Sequence, residues 1–338
     1  MSGPASGGQV SGPHGPGAEA APGSLTDAEP AGGYTAASAL DALREAGDGD
    51  AVAVLAARAA RCVSMEDGFG VAGLLGALHR AGAEDAVAAL AARAVEGVAL
   101  DEAYGVVAVS NALRDCGRED MAAALLARTA RDVPLGDGCE VAALLEAWWR
   151  NGDRSAVEAL LDRDPARHVL LSDGYGTGAL LEALQEVGAE GAVAALLARD
   201  PVRHVSMEDG GGVVRLMDAL GPVGAADERL ALVFRAAEHM AVDDAYAVAG
   251  VLSLLRWEGL HALGDWDGGY AAETDLPRWR KVEDAIGALL ARDPARHARI
   301  EGGSGVAALR EALRAVGARD AAEALAVREQ AQDPRKSH

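Results

Sequence analysis

Aromatic side chains are scarce in this 338-residue chain: two Phe, five Trp and five Tyr amount to 4% of it. Its apolar half is therefore mostly Ala, Leu and Val, residues that helices favour or tolerate and that pack as small, close-approaching side chains. Disorder throughout is excluded by a hydrophobic content of 50%, and an all-helical protein is already favoured. Lysine occurs only at Lys281 and Lys336, a bias towards Arg that matches the codon usage of a high-GC bacterium. Cysteine is limited to Cys62, Cys116 and Cys139, an odd number with no Cys-x-x-Cys pair, so neither a disulfide framework nor a zinc ribbon can be drawn and a reducing cytoplasm fits best. No uninterrupted apolar run reaches the ~18 residues of a membrane span, and the first residues lack the basic and apolar segments of a secretion signal. Positive charge is short as well: 31 basic against 52 acidic residues leave a net −21. Such a surface repels phosphate backbones, which argues against a nucleic-acid partner.

What the chain does contain is a repeat. A central glycine recurs at Gly47, Gly82, Gly117, Gly152, Gly188, Gly224 and Gly259, at intervals of 35 or 36, and again at Gly317 after 58. An independent ladder of arginines falls at Arg58, Arg93, Arg128, Arg163, Arg199, Arg235, Arg292 and Arg328, and its one long interval lies in the same unit. Eight units are expected. Within one, Val71, Leu74, Leu75 and Leu78 follow the i, i+3, i+4, i+7 pattern of a single helical face, and Gly82 is placed to end this helix A at a positive-φ position. The acidic pair Glu84 and Asp85 then opens a short helix B over Ala86–Ala92, which Arg93 closes as the helix dipole prefers. Asp-Pro at 164–165, 200–201 and 293–294 reads as a cap followed by proline at the start of an extra turn. Ser-x-x-Asp at 64–67 and 206–209 resembles a capping box before the next helix A.

A pair of helices this short cannot bury its apolar faces alone, so the units are expected to stack into an α-solenoid, right-handed and roughly 70–80 Å long at 8–10 Å per helix contact. The tetratricopeptide and ankyrin signatures are absent. The string A-L-x-x-x-G-A-x-D-A-V-A-A-L-L-A-R-D-P resembles a HEAT-type repeat, and it is similar to Ala/Leu-rich helical repeats of actinobacterial proteins, some of which stand beside signalling NTPase domains. That resemblance covers about 34–328, implies a helical-repeat fold, and brings no catalytic residues with it; a P-loop is missing. Residues 1–32 hold five of the twelve prolines and no Lys or Arg and read as a disordered leader. The solenoid is expected over 33–328, with a short polar tail at 329–338.

An insertion at 260–281 separates helix A from helix B of the seventh unit and carries Trp266, Tyr270 and Trp279. It reads either as a partner-contact loop or as a loop packing its own rings over the edge of the stack. A calcium loop opening at Asp265 fails, with Tyr270 where glycine is needed and Leu276 where glutamate is needed. The residue that begins helix A is aromatic at one fixed phase in five units: Tyr34, Phe69, Tyr104, Tyr175 and Tyr246. A fixed phase is a stripe in space, so these rings form either a contact ladder or staples onto the next unit. Asp67, Glu102, Asp137, Asp173, Asp209 and Asp244 lie two positions earlier, and helix-end electrostatics account for them and for the arginines. His168, His204, His239 and His297 recur after helix B as packed or capping imidazoles, since rungs ~10 Å apart cannot share one metal. The G-x-G-x-x-G match at 68–73 needs a preceding strand and has a helical repeat instead. No nucleophile, base and acid set is brought together.

The chain is accordingly expected to be a non-catalytic cytoplasmic scaffold, without cofactor or metal, that binds a protein or peptide through Phe69, Tyr104, Tyr175, Tyr246, Trp266, Tyr270 and Trp279. A small-ligand sensor or enzyme with its pocket under the insertion, and a homo-oligomeric structural component, are the alternatives.

Overall fold

A computed structural model describes residues 32–262, 276–300 and 303–332; the leader, most of the insertion with Trp266 and Tyr270, and the end of the tail lie outside them. The described residues form nineteen helical segments and no strand. Eight belong to the A set: α1 (Gly33–Ala46), α3 (Gly68–Arg80), α5 (Ala103–Asp115), α7 (Gly138–Asn151), α10 (Gly174–Glu186), α13 (Gly210–Leu220), α15 (Ala245–Ala262) and α18 (Gly303–Ala315). Each is followed by a B helix: α2 (Gly49–Cys62), α4 (Glu84–Gly97), α6 (Glu119–Asp132), α8 (Arg154–Leu161), α11 (Glu190–Leu197), α14 (Ala226–His239), α16 (Leu276–Ala291) and α19 (Arg319–Gln332). Three single turns complete the chain: α9 (Pro165–His168), α12 (Pro201–His204) and α17 (Pro294–His297).

Local chemistry sets these boundaries. Seven of the eight repeat glycines have φ between 69° and 84° and stop the A helices; after Gly82, for example, the amide of Ala83 returns to the carbonyl of Leu78. Gly259 is the exception. It has no positive φ and lies inside α15, which continues to Ala262. The insertion removes the need to turn there, and the missing side chain makes room for the Trp279 ring, which a Cβ on Gly259 would meet at 2.9 Å. Glu258, buried, takes a 2.5 Å bond from Arg278 beside it, so both ends of the expected loop are paired helix.

The A helices are capped by Asp67, Asp137, Asp173 and Asp244, whose carboxylates accept first-turn amides such as Gly70 at 2.8 Å and Tyr246 at 2.9 Å. Ser64 and Ser206 are not the caps expected of them; their hydroxyls accept the amides of Glu66 and Glu208 in the preceding turn. Asp-Pro breaks the B helix, which is fourteen residues in α4 and α6 but eight in α8 and α11. Proline disfavours the right-handed helical conformation for the residue before it, and Asp164, Asp200 and Asp293 take φ of 54°, 55° and 50°.

Every substantial contact joins elements of one pair or of consecutive pairs: A on A, B on B, A on its own B, the single turns on the next B helix, and α14 on the following α15. A single apolar cluster runs from Ala36 to Leu325. In the A row, a Cβ on Gly33 would lie 2.2 Å from the carbonyl of Gly70, and one on Gly138 at the same distance from that of Gly176. The first turns of neighbouring A helices thus touch backbone to backbone. The glycines at 68 and 70 belong to this contact, Gly70 facing Gly33 and Gly68 facing Gly105.

Candidate interaction surface

The arginine ladder connects the B helices. Arg93 donates to the carbonyls of Ala60 and Val63 at 2.7 and 2.8 Å, Arg128 to Val95 and Val98 at 3.1 and 3.0 Å, and Arg163 to Ala130 and Val133 at 2.9 and 2.8 Å. Arg199, Arg235, Arg292 and Arg328 make the equivalent pairs with Ala166 and Val169, Val202 and Val205, Ala237 and Met240, and Ala295 and Ala298. The expectation that each arginine closes its own helix holds for Arg163, Arg199 and Arg292, just past the ends of α8, α11 and α16, and is corrected elsewhere: α4, for example, continues four residues past Arg93 to Gly97, and the guanidinium satisfies orphan carbonyls at the end of the preceding B segment.

The aromatic row lies at the second position of the A helices. Tyr34, Tyr104, Tyr175 and Tyr246 are 54–64% exposed and Phe69 is 39% exposed. Each ring that makes a describable contact leans on the next A helix: a Cβ on Gly73 would touch Tyr34 at 3.9 Å, and the Arg215 guanidinium stands 5.7 Å from the centre of Tyr175. Trp279 is half-buried against α15, apart from this row.

Beyond the rings, the outward A face has a floor of small residues, Gly73, Ala108, Ala143, Ala179, Gly250 and Ala308, and in five of the A helices an acid stands seven residues after the ring position: Asp41, Glu146, Glu182, Asp218 and Glu311. Several of those acids meet an arginine. Asp41 accepts Arg80 at 2.7 Å, which raises the Arg80 pKa; Glu146 takes Arg150 at 2.5 Å and Glu182 takes Arg215. Across α13, α15 and α18 the face deepens into an open groove of about 470 Å3 with Tyr246 at one end. Between B helices the gaps are Ala-lined, as between α2 and α4 and between α6 and α8.

The histidines at 168, 204, 239 and 297 are exposed, not packed. Among the described residues no cluster of His, Cys, Asp and Glu is placed to hold a metal ion, and no helix is long and apolar enough to cross a membrane. All three cysteines are free thiols. Burial and the carboxylates of Asp137, Asp173 and Glu140 push the Cys139 thiol up to about 11, and burial raises that of Cys116. Sequence reasoning found the aromatic row but missed the groove, whose only signal was the small residue six places into most of the A helices, Gly250 and Ala308 among them. No protein-family model matches the chain, and no curated protein is similar enough to count as a relative.

Proposed function

We propose that the chain is an α-solenoid of eight helix pairs, HEAT-like and right-handed, that works in a bacterial cytoplasm as a non-catalytic scaffold for a protein or peptide. The observation that carries this reading is the arginine bridge, which ties each B segment to the one before it at separations of 33 and 30 residues along most of the chain. Contacts confined to neighbouring pairs support the same reading, because a stack of this kind is a one-dimensional array. The A helices meet backbone to backbone through glycine at their first turns, a close approach that supports placing the A row on the inner, concave side. That surface presents the exposed rings, and rigid aromatic side chains are effective anchors for a bound segment.

The reading is tested with F69A/Y104A, which removes two adjacent rings. Peptides retained by the unaltered chain from a random decapeptide display library are expected to lose affinity for this variant while its Tm stays within a few degrees. No retained peptide, together with turnover in a broad activity screen, overturns the scaffold. A lowered Tm with undiminished binding overturns the contact role of the rings.

A further inference from the structure

We infer that the groove across α13, α15 and α18 is the docking site for an extended, positively charged peptide segment with small apolar side chains; this rests on the scaffold reading and names the partner of one part of its surface. The floor of the groove is Val214, Ala249, Gly250 and Ala308. Its small apolar lining suits short apolar side chains laid along it. Asp218 and Glu311 flank it. Unlike Asp41, Glu146 and Glu182 on the same face, they make no ion pair with any described residue.

Tyr246, 64% exposed, is shared with a second opening at the helix starts, where Glu208, Asp209, Asp243 and Asp244 meet one cation, Arg299. Arg299 is already bound to Asp243 at 2.5 Å. A segment crossing Tyr246 therefore passes between two sets of carboxylates over the face of a phenol ring. That setting attracts an arginine or lysine through both cation–π and ionic terms. The cation inside the groove, Arg256, stands ten residues along α15 from Tyr246, about 15 Å away at the helical rise. It marks the far end of the groove, where the positive part of the segment does not extend. A net charge of −21 adds long-range attraction for such a partner.

The test selects decapeptides from a random display library on the full chain and measures the selected peptides by fluorescence anisotropy. The chain is compared with D218K/E311K, Y246A and F69A/Y104A, each checked for native helicity and Tm. The expected result is enrichment of Arg or Lys among Ala, Pro and Val, with affinity falling about tenfold or more in D218K/E311K and in Y246A and weakening as salt rises. Peptides that lose binding only in F69A/Y104A overturn the groove and leave the scaffold standing, whereas no enriched peptide overturns the groove and, together with turnover in a broad activity screen, the scaffold as well. Acidic or uncharged consensus peptides overturn the charge assignment. Dimer mass in light scattering that Y246A abolishes overturns it in favour of a second copy of the chain as occupant.

Discussion

At the scale of single residues, the arginines and glycines that mark the repeat are contact residues between units. Arg128 bonds Val95 and Val98 from a half-buried position. R128A leaves two carbonyls short of a charged donor and is expected to cost about 2 kcal/mol in urea unfolding, while R128K recovers only part of that, because an ammonium cannot span both acceptors as the guanidinium fork does. The glycines divide by position. G287A, in an exposed part of α16 with nothing near the added carbon, is expected to raise stability by about 1 kcal/mol, whereas G138A drives a carbon into Gly176 and lowers it by about 2 kcal/mol despite the same gain in helix propensity. Cys139 gives a chemical check. With its thiol raised to about 11, only about one molecule in a thousand holds the thiolate at pH 8, so alkylation there is slow and accelerates roughly tenfold per pH unit until that value is approached. Rapid alkylation at pH 8 contradicts the half-buried, acid-flanked setting.

At the scale of helices, much was legible in the sequence because capping and turning are local. The apolar spacing of Val71, Leu74, Leu75 and Leu78 and the C-terminal glycines locate the A helices, and Asp-Pro locates the break in the B helices. What a short window does not contain is the partner of a side chain some thirty residues away. The arginine period was visible, yet its acceptors in the preceding unit were not, so a residue that joins two helices read as the closing charge of one. Gly259 read as a helix stop for a related reason: its phase fits, but the long insertion relieves the turn, and Trp279 occupies the space. The rings at helix starts were found in sequence because their phase is fixed; their exposure depends on how far the next A helix reaches over them. Asp200 tests the helix break. D200V places a β-branched residue at φ 55° and is expected to lower the urea midpoint by an amount equivalent to about 1–2 kcal/mol, while D200G, free in that region, stays within a few tenths of the unaltered chain.

At the scale of the whole molecule, an array held by nearest-neighbour contacts tolerates the loss of one complete period, and a fold built round one shared core does not. Removing residues 170–205 deletes one unit in register. Val169 then precedes Ser206, Arg235 finds Ala166 and Val169 at the separations it now has from Val202 and Val205, and Gly138 faces Gly212 in place of Gly176. Removing only 170–187 breaks that phase. The decisive measurement is urea unfolding of these two deletions followed by circular dichroism. The in-register deletion is expected to keep the helicity per residue of the full chain and a cooperative transition, with the denaturant slope reduced by about a tenth, while the out-of-register deletion loses both. An in-register deletion as unfolded as the other contradicts the nearest-neighbour array.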